Sequence, residues 1–468
     1  MKRICSIAML GLFTVICAFT FIGCEMSSTP DAIADNYPDL ARGYDLDAKG
    51  GNSGDSITLT LDGVKTFNCL VLKERGDAIR RYELSAHGNV FYSGEAIGRY
   101  KYCSFPDVTT DSVVITVNDS SGGWKIKDIE AYHICDSYTP SFRVTSYIMT
   151  DRAYKLTLED SDMLSVSTHF NLFGGVYFDS DGILHLQDYL IGGDSVKGET
   201  ALKVAISNIR KYNIDASIVC TLLGNKDITR DNLDMQARHS AAMDAHGDTL
   251  IAQCLELIDK YGLDGISFDY EYPRNREENA IYAAFLTRLR QALPQDKELS
   301  AAFSLWNIGG ADGFEISVLN TLSRVELMTY DGFDSRGNHS AFYAMCAKAL
   351  HDLDKNGLDI SIADLGIPFY CRAVDKSAYA GDYASAAQRL GEWGDSLYNR
   401  ITSGGNTYDA LCYYNGRQTV YDKTCYALDV GAGGVMAWHF SCDTSDSALS
   451  LYAAIGRAVS SRQSSKSI

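Results

Sequence analysis

At 468 residues the chain exceeds one ordinary domain, and 46% apolar with 22% charged residues is the composition of a globular protein. A formal net charge of −18 argues against nucleic acid, whose phosphates demand a basic surface, and leaves neutral or cationic ligands in view. Ten cysteines follow Cys24 (69, 103, 135, 220, 254, 346, 371, 412, 425 and 442) without a C-x-x-C pair, so no zinc site is expected. Cys412 with Cys425 is the nearest candidate disulfide, and the cysteines in apolar runs behave as small core residues.

Lys2 and Arg3 precede an uncharged apolar run from Ile4 to Gly23, the layout of a secretory leader. A single membrane anchor is the alternative, since the run is almost long enough to span. Phe21-Ile22-Gly23-Cys24 resembles a lipoprotein cleavage box. That resemblance implies a signal peptide over 1–24, lipidation at Cys24, and an exported chain anchored to a bacterial membrane, in the periplasm or at the cell surface. From 25 to 55 the composition turns to Ser, Thr, Asp, Gly and Asn, which predicts a flexible tether.

Over 56–135 short alternating runs recur, among them Ile57 to Leu61, Phe67 to Leu72, Ser112 to Val117 and Trp124 to Tyr132. Turns rich in Gly, Asp and Asn separate them and no helical period is sustained, so a small all-β sandwich is predicted. The order Phe67 to Glu74, Ile79 to Tyr82, Val113 to Val117 and Ile126 to Glu130 resembles discoidin-like domains of the factor 5/8 type C group. The resemblance implies a carbohydrate-binding module, with Trp124 and Tyr92 as either stacking platforms or core residues.

Over 141–460 strands alternate with helices. Strands are predicted at Arg143 to Met149, Thr168 to Phe178, Ala216 to Leu223, Gly265 to Glu271, Leu299 to Leu305, Val325 to Tyr330, Ser361 to Phe369 and Gly434 to Trp438. Between them, apolar stripes such as Leu250, Ile251, Cys254, Leu257 and Ile258 fall at helical spacing. Eight βα units predict an α/β fold, a (β/α)8 TIM barrel whose site lies at the carboxyl ends of the strands. No Gly-rich phosphate turn follows the first strand, so neither a doubly wound sheet nor a cofactor is expected.

The fourth predicted strand carries Asp264-Gly265-Ile266-Ser267-Phe268-Asp269-Tyr270-Glu271. With period two, Ile266, Phe268 and Tyr270 share one face while Ser267, Asp269 and Glu271 share the other. Two carboxylates this close repel, which raises one pKa and lets that group keep a proton near neutrality, as a general acid must. Pro273 ends the strand and places Glu271 near its carboxyl end. Three more strings end predicted strands: Leu327-Met328-Thr329-Tyr330-Asp331, with Glu326, Met328 and Tyr330 alternating inward; Leu365-Gly366-Ile367-Pro368-Phe369-Tyr370; and Gly433-Gly434-Val435-Met436-Ala437-Trp438.

In this order the strings resemble family 18 glycoside hydrolases, the chitinases and endo-β-N-acetylglucosaminidases. Asp264, Gly265, Asp269 and Glu271 match the D-G-x-D-x-D-x-E signature, and Ser267 departs from it. The third strand, Thr221-Leu222-Leu223-Gly224-Asn225, also departs from the usual S-x-G-G. The segment Arg372 to Asn406 is short and partly helical where many relatives carry a larger insertion, which predicts a shallow cleft and endo action.

The resemblance implies retention by substrate-assisted catalysis. Glu271 would be the acid and then the base, Asp269 would steady the acetamido group, and Tyr330 would donate to its carbonyl. Asp264, Ser267, Met328, Asp331, Tyr370 and Trp438 would complete the substrate site, Trp438 as its apolar floor, and no metal would be needed. Chitin or chitooligosaccharides are the first implied substrates and the chitobiose core of N-glycans the second. A catalytically silent surface glycan-binding protein is the alternative of another class. With serine at 267, an acid limb lower than in aspartate-bearing relatives is expected, and Ser267→Asp is expected to move the profile upward. Asp179-Ser180-Asp181-Gly182 is read as a turn, His439 as a rim residue, and Trp306 as either a subsite wall or a packing residue.

Overall fold

The computed structural model describes residues 32–224, 234–309, 313–332, 340, 342–373, 379–390, 396–403 and 406–463; Cys24 and the leader lie outside them. The amino-terminal sheet is built on two long antiparallel strands, Ser56–Glu74 and Lys101–Ser120, flanked by Ile79–Ala86, Asn89–Glu95 and Trp124–Tyr132. The pairing of the long strands shifts between Thr60 and Lys65 and again between Phe67 and Cys69. Such irregularities bend a sheet. Ile57, Leu59 and Leu61 from one half of the first strand and Phe67, Leu70 and Leu72 from the other reach a single apolar core. The sheet therefore wraps around that core.

From residue 32 onward the segment expected as a tether is packed. Helix Ala32–Asn36 buries Ile33, Asp45–Leu46 pairs with Leu59 and Thr60, and Gly50–Gly51 pairs with Trp124 and Lys125. Its composition gave little sign of this because its anchors are few and scattered: Ile33 and Ala41 are buried, and Leu40, Tyr44 and Leu46 pack against the sheet's core. Asp39 accepts from Ala131 N at 3.0 Å and the Asn52 carbonyl accepts from the Trp124 indole at 2.8 Å.

The run Phe67-Asn68-Cys69-Leu70-Val71-Leu72 is buried on both faces. Leu70 and Leu72 fill the sheet's own core, while Cys69 and Val71, with Tyr100, Tyr102 and Tyr132, belong to the core of the second unit. A continuous apolar run is what double burial requires.

That second unit is the expected (β/α)8 barrel. Parallel strands Arg143–Met149, His169–Phe173, Ser217–Gly224, Gly265–Asp269, Glu298–Ser304, Arg324–Met328, Ala363–Pro368 and Gly434–Trp438 each pair with the next, and the eighth returns to the first. Outside, helix Gly247–Tyr261 buries Leu250, Ile251, Cys254, Leu257 and Ile258 as its stripe predicts. It stops at Gly262, whose φ of 63° suits glycine, and the chain turns directly into the fourth strand. After Pro273, Asn275 caps helix Arg276–Ala292 by accepting from Glu278 N at 3.0 Å.

Two expectations change. After the seventh strand the chain forms a four-stranded antiparallel sheet from Tyr370–Ala373, Tyr379–Asp382, Ser396–Ser403 and Asn406–Tyr413, with helix Tyr383–Leu390. The shallow cleft loses its premise. The pair Cys412 and Cys425 does not form either: all ten described cysteines are free, Cys425 lies against the Ser461 hydroxyl, and Cys371 hydrogen-bonds Cys412.

Helix Arg417–Asp429, just before the eighth strand, is buried along most of its length because the barrel covers one side and the amino-terminal sheet the other. Asp422 accepts from Ser104 N at 3.0 Å and from the Tyr92 hydroxyl at 2.7 Å, and Lys101 pairs with it at 3.3 Å. This contact makes Tyr92 an interface residue. Asp429 accepts from Arg462 Nε at 3.0 Å and from the hydroxyls of Tyr102 and Ser137. Removing one partner of a buried pair strands the other charge, at a cost of about 3–5 kcal/mol. Asp429→Ala is therefore expected to lose about that much stability in urea denaturation, with the sheet and barrel losing structure together.

Candidate active site

The fourth strand sorts its polar residues by depth. Asp264 precedes it, at the amino-terminal mouth, where its carboxylate accepts from Ile218 N at 2.8 Å and Arg210 Nη2 at 2.5 Å. Five residues of strand at about 3.3 Å each put roughly 16 Å between it and Asp269. Asp264 joins the third and fourth strands and does not contribute to a substrate site. Ser267 lies one layer below Asp269, fully buried, and donates to Glu326 Oε2 at 2.9 Å. It too is out of reach of a substrate in the mouth.

At the carboxyl-terminal mouth, Asp269 ends the strand and Glu271 lies in the turn beyond it. Between them Tyr270 points outward, stacking on His239 with ring centroids 4.1 Å apart. Gln236 donates to the Glu271 carbonyl at 3.2 Å, fixing the turn from outside. Asp269 is buried and its Oδ1 has no hydrogen-bond partner. Burial first, then the Glu271 and Glu326 carboxylates, hold the Asp269 carboxyl well above the usual range. Burial, then the charge of Asp331, pushes Glu271 up to about 7. One acidic group near neutrality beside an orphaned carboxylate oxygen is a place where a proton can be kept and passed on.

The walls come from the first, second, sixth, seventh and eighth strands. Tyr330 is buried, and desolvation, then the charges of Glu271 and Asp269, keep its hydroxyl protonated and able to donate. Met328 precedes it on the inward face, also buried. Asp331 follows in the left-handed region at φ 59°, accepting from the Tyr370 hydroxyl at 2.7 Å and pairing with Arg372 at 3.0 Å. Those contacts tie the sixth strand to the seventh. Trp438 ends the eighth strand partly exposed, its ring against Tyr147 and Phe173 at centroid distances of 5.3 and 5.2 Å. It is placed to be a floor.

Gly366 makes this closeness possible. A Cβ there would lie 2.2 Å from the Leu327 carbonyl oxygen and 2.9 Å from the Tyr330 ring. Next to the mouth, Trp306 is 57% exposed, edge-on to Tyr272, beside a cavity of about 480 Å³ lined by Pro273, Arg274, Asn279 and Asn307. A packing role does not suit so exposed a ring, and the subsite alternative stands. His439 is half-buried at the rim, and desolvation, outweighing the charges of Asp382 and Asp151, lowers its pKa. Asp179 accepts from Gly182 N through its carbonyl at 3.1 Å, the expected turn.

The structure sets Asp269, Glu271, Met328, Tyr330, Asp331, Tyr370 and Trp438, all expected from the sequence, at or beyond the carboxyl ends of the fourth, sixth, seventh and eighth strands. Sequence reasoning missed Tyr147, which carries no motif, and it gave Glu326 no role although its alternation with Met328 and Tyr330 marked it as inward-facing. Among the described residues, no group of three or more His, Cys, Asp or Glu is arranged to hold a metal ion.

Residues 223–443 match the family model of glycosyl hydrolases family 18. Chitinase A1 of Niallia circulans is 23% identical over 265 residues, covering 43% of this chain and 38% of its own length. Endochitinase 1 of Metarhizium anisopliae is 26% identical over 235 residues, covering 41% and 54%. The chain thus spans about half or less of these relatives. Among solved structures, the chitinase ChiB from the chitin utilization locus of Flavobacterium johnsoniae is similar at a TM-score of 0.53 and 21% identity, over 68% of this chain and 94% of that one. A class V chitinase from Nicotiana tobaccum in complex with NAG4 has a TM-score of 0.53 at 17% identity, over 68% and 99%. At such identities these likenesses show the fold.

Because the Leu327 carbonyl cannot move without breaking the sixth strand, Gly366→Ala is expected to displace the Tyr330 ring. Thermal unfolding should register a loss of about 1–3 kcal/mol from overpacking, and a crystal structure of the variant should show Tyr330 shifted.

Proposed function

We propose, from the family 18 glycosyl hydrolase domain carried by residues 223–443, that the protein is a retaining glycoside hydrolase cleaving β-1,4 linkages beside N-acetylglucosamine. The single observation that carries this is the Asp269–Glu271 pair at the mouth of the barrel: both carboxyls are raised first by burial, Asp269 then by Glu271 and Glu326, and Glu271 then by Asp331, to about 7. An ordinary glutamate is almost wholly deprotonated at neutrality and cannot act as an acid there. Glu271, raised to about 7, holds a proton in a substantial fraction of molecules there.

In this account Glu271 protonates the leaving glycosidic oxygen while the acetamido oxygen of the bound sugar attacks the anomeric carbon from the opposite face. The resulting oxazolinium carries positive charge, which the Asp269 carboxyl stabilises from below. The Tyr330 hydroxyl donates to the acetamido oxygen and fixes its direction of attack. Glu271, now deprotonated, removes a proton from water that opens the ring, so the anomeric configuration is retained. Trp438 supplies the apolar floor under the reacting sugar, and Trp306 with Tyr272 offers an aromatic surface on the leaving-group side. Chitooligosaccharides are the favoured substrates, in line with the chitinases among its relatives and with the sugar bound to the class V chitinase. The leader ending at Cys24 supports export with a lipid anchor, and the amino-terminal module, discoidin-like in sequence, is proposed as a glycan-facing domain fixed to the barrel.

The test is product analysis by mass spectrometry of the chain from Glu25 and its Glu271→Gln variant, each with chitooligosaccharides and with an N-glycosylated protein. Cleavage of chitooligosaccharides by the wild type, reduced at least about a hundredfold in Glu271→Gln, is expected. Release of a glycan leaving one N-acetylglucosamine on the protein would move the substrate to the N-glycan core. Binding without cleavage of either would overturn the enzyme in favour of a glycan-binding protein. With Glu271 as the acid, kcat/KM is expected to fall as pH rises through about 7, because the protonated form is lost there.

A further inference from the structure

Ser267 removes a carboxylate from the interior of the fourth strand, and the sixth strand puts one beside it. Asp269 pairs with Ala302 of the fifth strand, and Ala302 pairs with Glu326 of the sixth. Neighbours in register on parallel strands point the same way, so Asp269 and Glu326 share a layer of the barrel with only the small Ala302 between them. Glu326 is fully buried. Both of its oxygens are occupied: Oε1 accepts from Asn171 at 2.8 Å and Arg324 Nε at 3.0 Å, Oε2 from Ser267 at 2.9 Å and Tyr147 at 2.8 Å.

Resting on the glycosidase reading above, we propose that Glu326 is the inner carboxylate of the catalytic relay, supplying from the sixth strand the like charge that Ser267 withholds from the fourth and keeping one proton resident on the Asp269–Glu271 pair. It touches no substrate. It is a positioning residue.

The charges around it allow this. Arg324 faces Glu326 from its own strand, but its guanidinium is shared with Glu298 of the fifth strand at 2.5 Å and with Asn171 of the second. Arg324 thus lies between two carboxylates, with His169 at 3.4 Å from Glu298, and among the described residues Glu326 has no cation to itself. Asp364 of the seventh strand also acts on Arg324 and is itself held by Arg143 at 2.8 Å and Thr145 at 2.6 Å. From the first strand and the helix Arg276–Ala292, the other facing groups are the Tyr147 and Tyr282 hydroxyls, both kept protonated by burial. Glu326 is among the groups that raise Asp269, after burial and Glu271. Ser267 then serves as a spacer whose hydroxyl binds the charge where an aspartate would collide with it. This reverses the expectation for Ser267→Asp, which in the wild-type background would set two carboxylates at hydrogen-bond distance.

The experiment uses Glu326→Gln, Glu326→Asp and the double variant Ser267→Asp/Glu326→Gln in the chain from Glu25. The first readout is a ¹³C NMR titration of the Asp269 carboxyl, assigned by its loss in Asp269→Asn, which needs no substrate. The second is the pH profile of kcat and KM on chitooligosaccharides. Glu326→Gln is expected to move the Asp269 titration to lower pH and to cut kcat about 10- to 100-fold with KM near wild type. Glu326→Asp should give the same shift in smaller measure, and it carries the test if the glutamine variant does not fold. The double variant should bring both readouts back toward wild type. An Asp269 titration unmoved by loss of Glu326, or unrestored in a folded double variant, would overturn the proposal. A wild type inert on every glycan whose Asp269 titration still responds to Glu326 would instead overturn the glycosidase reading alone.

Discussion

The structure depends on a repulsion that it contains rather than relieves. Asp269, Glu271 and Glu326 bring carboxyl groups together at one mouth of the barrel, where burial removes the water that would screen them. The unfavourable energy is partly met by Arg324, whose guanidinium is shared with Glu298, and by the hydroxyls of Tyr147 and Ser267. What is left over raises the affinity of Asp269 for a proton, as burial and Asp331 raise that of Glu271, and groups shifted in this way mark a candidate site.

A barrel holding such a cluster must be rigid around it, and the chain provides rigidity from outside as well as within. The eighth strand, which carries Trp438, is preceded by helix Arg417–Asp429, clamped between the barrel and the amino-terminal sheet through Asp422, Asp429 and Arg462. The two units share a hydrophobic core that runs from Cys69 and Tyr132 into the strands. The amino-terminal sheet is thereby held against the barrel.

The eight strands were readable because each has its own signature: alternation with buried polar residues inward, as at Ser267 and Asp269, or an ending on Pro, Gly or an aromatic residue. The Asp269–Glu271 pair was readable because it lies on and just beyond one short strand, where period two marks a shared face. Asp264 was misassigned because a string of contiguous residues conceals depth, and a motif can span a barrel from one mouth to the other. The part played by Glu326 was hidden for a related reason. Its closeness to Asp269 runs through Ala302, across three strands, and no local pattern records that. The packing of residues 32–51 was lost because a few scattered anchors, Ile33, Ala41 and Tyr44 among them, leave little mark on composition.

The most direct measurement of the central claim is the anomeric configuration of the first product, followed by ¹H NMR at early times with chitopentaose. If the acetamido group attacks and Glu271 returns water to the same face, the new reducing end appears as the β-anomer and equilibrates to α only later. An α-anomer formed first would mean that water attacks directly, and the roles given to Asp269 and Tyr330 would be contradicted.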